Sequence, residues 1–369
     1  MYTIYAGDDL LYAPMLSNEG YGLISPKVDV ELNKAGSASF LLPTNNVMYG
    51  QLKKMKSIIT VYDDKDEIFR GRVLDEERGF KKTKNVYCEG ELAFLLDSVL
   101  WEYEHSGSVS ELFDWYINEH NSQVEQEKQF QVGEVTVKDN NDYIVRSSTE
   151  YPKTFNEMKA KLLNELGGYF RIRKSGENRI IDYVEEYGEK SGQVIEFGKN
   201  LLDITEYITA DGVFTVLIPL GAEQNDENGN RLGRLTIRSV NEDCVYVEDP
   251  DAIKLFGRIV EKNIWDDVTE PDNLLRKAKE HLKSGIKMAV SLTVKAVDLH
   301  LINIDTKRIK LGDYVRVVSI PHEIDQYFLC TKISYDLANP GNTEYTLGVS
   351  FKTLTDRQAE QNYHSVTYK

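Results

Sequence analysis

Glu67-Ile68-Phe69-Arg70-Gly71-Arg72-Val73 reads as a strand, and Val86-Tyr87-Cys88-Glu89-Gly90 reads as a later strand of the same set. Both have the β-branched and aromatic texture of a pleated, half-buried surface. Upstream, Val28-Asp29-Val30-Glu31-Leu32-Asn33 alternates apolar and polar, and Ala38-Ser39-Phe40-Leu41-Leu42 returns after the Lys34-Ala35-Gly36-Ser37 turn. Tyr2–Tyr5 and Ser57–Tyr62 are two more strands, Gly7-Asp8-Asp9 and Asp63–Asp66 are turns, and Asn46–Leu52 reads as a helix-like turn. Many short strands with turn signals predict a small antiparallel barrel over residues 1–97.

A second β-rich segment lies near the other end, around Ile309-Lys310-Leu311-Gly312-Asp313-Tyr314-Val315-Arg316-Val317. Strands are expected at Ser291–Val297, Tyr314–Ile320, Tyr327–Tyr335 and Glu344–Phe351. With the apolar run Phe214–Gly221, they predict a second barrel built from 201–225 and 288–355. Residues 98–200 read as an α+β domain. A short helix at Glu91–Leu100 leads into it, and it holds a helix over Ser108–Glu119 and a strand at Phe130–Val135. A helix over Phe155–Leu166, stopped by Gly167-Gly168, precedes the hairpin Tyr169–Val184. Residues 226–287 read as an inserted α/β segment. Its parts are a hairpin tip at Asp226–Asn230, a helix at Pro250–Phe256, a strand at Arg258–Ile264 and a helix at Glu270–Lys287. That last helix carries the stripe Leu274, Leu275, Ala278 and Leu282. Residues 356–369 form a tail. The expected fold class is α+β, mainly β: two small antiparallel barrels plus two α+β domains. Two similar barrels in one chain are a way to build a ring, so an assembly part is expected before an enzyme.

Composition narrows the function classes. The chain has 369 residues, 41% hydrophobic and 28% charged, which fits two to four globular domains. No apolar run approaches the ~20 residues that span a bilayer, and Met1–Tyr5 lacks a signal-peptide pattern. Synthesis and folding in a cytoplasm are expected. A net charge of −16 repels nucleic-acid phosphates and anionic membranes. The Arg70–Lys84 stretch mixes in Asp75, Glu76 and Glu77 and reads as a solvated hairpin.

No catalytic, cofactor or metal residues emerge. Cys88, Cys244 and Cys330 are far apart, without C-x-x-C spacing, and read as buried free thiols in strands. The six histidines, His105, His120, His281, His300, His322 and His364, read as surface or helix-face residues, and none completes an H-E-x-x-H pattern. A glycosidase needs two carboxylates across a cleft; Glu76-Glu77, Glu185-Glu186 and Asp266-Asp267 are abundant acid rather than a defined pair. The Asp226–Asn230 loop departs from EF-hand spacing, since Gly229 is fourth and Ile237 twelfth. The 22 tyrosines suit strands and wet subunit contacts.

The order of these pieces is itself a signal. Glu67–Val73, then the strand-to-helix joint Cys88-Glu89-Gly90-Glu91-Leu92-Ala93-Phe94-Leu95-Leu96-Asp97-Ser98, then Phe155–Leu166 with Gly167-Gly168-Tyr169-Phe170-Arg171, then Val213–Gly221 and Leu311–Val317 follow in turn. This order resembles the N-terminal region of tail-associated proteins of siphophages and prophages of Gram-positive bacteria. That family is described as prophage endopeptidase tail or phage minor structural protein. The resemblance implies a baseplate-hub fold: a homotrimer whose six barrels make a pseudo-hexameric ring at the tail tip of a virion. The ring would join the tail tube and a distal tail protein. Tape-measure protein and DNA would pass through its lumen without specific binding. Lytic activity in such families belongs to C-terminal extensions, and the sequence stops soon after the second barrel. The alternatives are a peptidoglycan-degrading tail endopeptidase and a receptor- or carbohydrate-binding tail-tip module.

Overall fold

The structure is a computed structural model, and it describes residues 1–139, 142–176, 178–210, 212–225, 231–266, 268–286, 289–302 and 306–348. The expected hairpin tip at Asp226–Asn230 and the tail 356–369 lie outside the described residues. The described residues fall into two compact units: one draws on 1–143, 147–206 and 291–348, the other on 144–146 and 207–290.

The first unit is built on strands β1 (Tyr2–Ala6), β2 (Asp9–Tyr12), β3 (Ile24–Glu31), β4 (Ser37–Leu42), β5 (Ile58–Asp63), β6 (Asp66–Arg78) and β7 (Lys84–Gly90). They pair in the order β3-β4-β7-β6-β5-β1-β2. Alternation decides which side chains go in: Ala38, Phe40 and Leu42 of β4 are buried, as are Val86 and Cys88 of β7. β6 is long because it serves two neighbours. Asp66–Arg72 pairs with β5, and Gly71–Arg78 pairs with β7, with a register shift between Val73 and Asp75. Gly71 makes the crossing possible, since a Cβ there would stand 2.1 Å from the carbonyl oxygen of Glu89.

The chain's other end repeats the device. Ile324–Asp336, also 13 residues, pairs through Ile324–Leu329 with Tyr314–Ser319. Through Lys332–Asp336 it pairs antiparallel with β3, with Ile333 opposite Val30 and Tyr335 opposite Val28. Glu344–Gly348, Ala289–Ala296 and Leu201–Thr209 follow on its other side, and Lys190–Glu196 lies parallel to Tyr314–Ser319.

This corrects the two-barrel expectation. Among the described residues the strands form one continuous 13-stranded sheet, and no closed barrel is found. Alternation shows which face of a strand is buried; it does not name the strand alongside. The seam between β3 and Ile324–Asp336 joins residues about 300 apart and leaves no local trace. The coarser expectation holds: the protein is mainly β with α+β character.

Beside the sheet, the helix Val109–Asn121 is closed by a capping box, with Ser108 accepting from the Glu111 N–H and Glu111 reaching back to Ser108. Its predicted stripe, Val109, Leu112, Phe113, Tyr116 and Ile117, is fully buried. Phe113 stacks on Tyr183 and Phe170 of the hairpin Tyr169–Ser175 and Asn178–Val184. Each such side chain contributes about 1.5–3 kcal/mol by burial. Asn33 ties this layer to the sheet: its Nδ2 donates to Gly168 O (3.0 Å), and its Oδ1 accepts from Phe170 N–H (2.9 Å).

Three local expectations are corrected. Asn46–Leu52 is a run of turns, because the buried Asn46 side chain donates to the carbonyls of Leu11 and Gly22. The helix over Phe155–Leu166 begins at Thr154 and passes through a π-helical segment at Lys159–Leu163. Glu91–Leu96 is 3₁₀ rather than α.

In the second unit, Val216–Leu220 pairs antiparallel with Val247–Glu248 and parallel with Val260–Ile264. It therefore lies in its own three-stranded sheet, not with the strands of 288–355. A parallel neighbour needs a crossover, which the helix Pro250–Phe256 supplies. The helix Pro271–Gly285 buries Leu274, Ala278 and Leu282 against Phe214, Leu217 and Trp265.

Candidate functional site

Arg70 and Arg72 are two residues apart on β6, so both project from one face. That face meets the strand-to-helix joint. Arg70 pairs with Glu91 at 2.5 Å, and Arg72 pairs with Glu89 at 2.7 Å and with Asp97. Lys128 adds a second cation to Asp97 at 2.9 Å. From the hairpin, Arg179 reaches both Glu67 (2.8 Å) and Glu91. Arg72 is 3% exposed, and its guanidinium lies over the Phe94 ring at 5.4 Å. The Arg70–Lys84 stretch is therefore only partly a solvated hairpin. Arg72 and Lys84 are buried, with Lys84 3.1 Å from Glu76. The two quoted motifs, Glu67–Val73 and Cys88–Ser98, are two sides of one ion network. Its signal in sequence is the Arg-x-Arg spacing followed by Cys-Glu-Gly-Glu, and its partnering was not legible there.

This network floors a cleft of about 710 Å³ lined by β6, the Asn33 turn, the hairpin around Arg171 and the segments 187–192 and 307–313. Among the cleft's carboxylates, Glu31 pairs with Lys34, Asp66 with Arg308, and Glu67 and Glu91 with arginine, while burial pushes the Asp313 carboxyl up. Glu67 and Glu91 share Arg179, so neither is a free acid or base. Burial pushes the Glu91 carboxyl up, with the Arg179 and Arg70 guanidinium groups opposing it.

The reactive side chains are sealed. Burial pushes the thiols of Cys88 and Cys330 up, which makes them inert. Cys244, expected in a strand, is half-buried in a turn region and donates to Tyr246 O. A serine–histidine contact that the sequence did not reveal joins Ser98 Oγ to His120 Nδ1 at 2.8 Å, with Thr154 Oγ1 2.7 Å beyond. All three are buried, and His120 Nε2 lies 3.0 Å from Lys128 O. Burial lowers the His120 pKa, so the neutral ring donates to Lys128 O and accepts from Ser98. A serine with no path to solvent is a core fastening, not a nucleophile. His120 thus corrects the surface-histidine expectation.

His300 departs from it too. Its Nε2 is 2.9 Å from Asp63, beside Arg308 at 3.1 Å. His281 packs between Phe214 and Trp265, and burial lowers its pKa. Glu76 is neutralised by Lys84 and Asp266 by Arg234, while Asp267 and His364 lie outside the described residues. Among the described residues, no three of His, Cys, Asp and Glu gather in a way that could hold a metal. No described helix is long and apolar enough to cross a membrane.

Leu201–Thr209 and β2 end the sheet, each with one neighbour. The turn beyond β6 holds Phe80 wholly in solvent.

Residues 189–358 match the family described as prophage endopeptidase tail. No curated protein matches the sequence. The fold is similar to a prophage MuSo2 43 kDa tail protein from Shewanella oneidensis, at TM-score 0.63 and 12% identity over 95% of this chain and 98% of that one. It is similar to a tail protein from Neisseria meningitidis MC58, at 0.64 and 13% over 95% and 96%. It is also similar to prophage tail protein gp18 from Listeria monocytogenes EGD-e, at 0.59 and 15% over 98% of both chains. The chain thus resembles phage and prophage tail-associated proteins, by a family match over residues 189–358 and by a fold shared along nearly its whole length with prophage tail proteins.

Proposed function

We propose that the protein is a structural hub at the tip of a phage or prophage tail. Three copies surround a channel, and each contributes two β modules, one around β6 and one around Ile324–Asp336. The six modules make a pseudo-hexameric ring that meets the tail tube on one face and the tip components on the other. A distal tail protein and the tape-measure protein are its neighbours, and DNA passes through the lumen. The observation that carries this reading is the repeated long strand that changes partner midway, once in each half of one continuous sheet. Two like modules per chain let a three-fold assembly face a six-fold tube. The net charge of −16 favours a lumen that DNA does not stick to.

The reading is not enzymatic. What weighs against the word endopeptidase in the family's description is that Glu67 and Glu91 of the cleft are held by arginine. The test is mass in solution by light scattering over a wide concentration range, with negative-stain images of the heaviest species. A three-fold ring with a central hole is expected, and no clearing of peptidoglycan. A lumen lined by Lys and Arg would overturn passage of DNA. Clearing that follows the purified chain would overturn the structural reading.

A further inference from the structure

The turn Gly79–Thr83 at the end of β6 is a rigid finger. Gly79 N–H donates to Thr83 O at 3.0 Å, Lys82 N–H donates to Gly79 O at 2.9 Å, and the Tyr49 hydroxyl donates to Lys82 O. Lys84 fastens the base, with its ammonium 3.1 Å from Glu76 and 4.7 Å from the Tyr49 ring centre. On this fixed turn Phe80 is 104% exposed, flanked by the exposed Lys81 and Lys82 and by Arg78. Holding an aromatic ring in water forgoes the gain of burying it, and a turn already held by hydrogen bonds lowers the cost of burying it against a partner.

The same unit carries a surface of complementary character. Ile320 is 87% exposed on a short turn closed by Ser319 Oγ and His322 Nδ1, 2.6 Å apart. Phe197, 53% exposed, meets the His322 ring edge-on at 5.9 Å. Leu202, also exposed, follows across the Gly198–Asn200 turn. Ion pairs Glu196–Lys199 and Arg316–Asp325 cancel locally. Glu323 closes the Ile320 turn and Asp203 follows Leu202; both are exposed, and among the described residues neither forms an ion pair, so these segments carry unpaired acidic charge.

We infer that the Phe80 finger of one copy docks on the Phe197–Ile320 surface of a second copy, with Lys81 and Lys82 facing Glu323 and Asp203. The contact is head-to-tail, the kind that closes a ring when the rotation permits. It rests on the hub reading and gives that ring a named interface.

The test mixes ¹⁴N- and ¹⁵N-labelled chains and treats them with a zero-length carbodiimide, which joins lysine directly to carboxylate. Mixed-isotope crosslinks from Lys81 or Lys82 to Glu323 or Asp203 are expected. In sedimentation, Phe80→Ser should weaken self-association tenfold or more. K81E/K82E should do the same, and adding E323K/D203K should restore it. A three-fold ring that persists in Phe80→Ser, without those crosslinks, would overturn this contact and leave the hub reading standing. A wild-type chain that stays monomeric at every concentration would also overturn it, and the hub reading would then be tested with tube protein added. Sedimentation of the wild type, but not Phe80→Ser, with phosphatidylserine vesicles would make the finger a membrane device and overturn the contact as well.

Discussion

The guanidinium of Arg70 lies 2.5 Å from the carboxylate of Glu91, and the same carboxylate also holds Arg179 from the hairpin. One glutamate thereby joins a sheet strand, the joint after β7 and the α+β layer. Glu91 is 6% exposed, so its two arginines are what make its charge tolerable there.

Breaking the neighbouring node should be costly. Arg72→Met removes the cation between Glu89 and Asp97 and should destabilise the unit by about 3 kcal/mol, because the partly buried Glu89 loses its partner and Asp97 keeps only Lys128. Chemical denaturation should show a lower midpoint with an unchanged slope. Arg316→Met, whose pair with Asp325 is exposed, should change the midpoint far less.

Acid should act through three depressed carboxyls. Burial works against Asp63, Asp97 and Asp182, yet their partners win. His300, the N-terminal ammonium and Arg308 hold Asp63; Arg72 and Lys128 hold Asp97; Arg173, the Glu134 N–H and Arg171 hold Asp182. Each folded pKa lies below the unfolded value of about 3.9, so the stabilisation is complete above that pH and is lost as pH falls through the folded values. Thermal midpoints should drop steeply below about pH 4, and less steeply in Asp182→Asn.

His120 should add a separate, milder dependence. Its folded pKa lies below the ordinary value of about 6.5, so under that pH the unfolded chain takes up a proton the native ring refuses. Stability should decline as pH falls below about 6.5. His120→Gln should flatten that slope.

Gly71→Ala should fail where Gly192→Ala succeeds. An added Cβ at Gly71 meets the Glu89 carbonyl oxygen at 2.1 Å, whereas at Gly192 it meets nothing within 4 Å. Soluble yield and melting temperature of the two variants decide the point.

Much of the secondary structure was legible because its cause is local. The Ser108 cap, the apolar stripe of Val109–Asn121, the Gly167-Gly168 stop and the hairpin Tyr169–Val184 all follow from neighbouring residues. What failed was pairing at a distance. The run at Phe214–Gly221 showed that a strand was buried, but not that Val260–Ile264 lay beside it. The Arg70–Lys84 stretch showed its charges, but not that Glu89, Glu91 and Asp97 fold back to meet two of them. Period and propensity describe a strand's faces, whereas partners are chosen by the whole chain.

The seam between β3 and Lys332–Asp336 also sets a timetable. On a ribosome, β3 emerges about 300 residues ahead of its neighbour, which at 5–20 residues per second is roughly 15–60 s. For that interval the nascent chain carries an open β-edge, and two ribosomes on one message hold such edges close together. Whatever shields β3 during translation, a chaperone or a temporary pairing, must release it when residue 336 arrives.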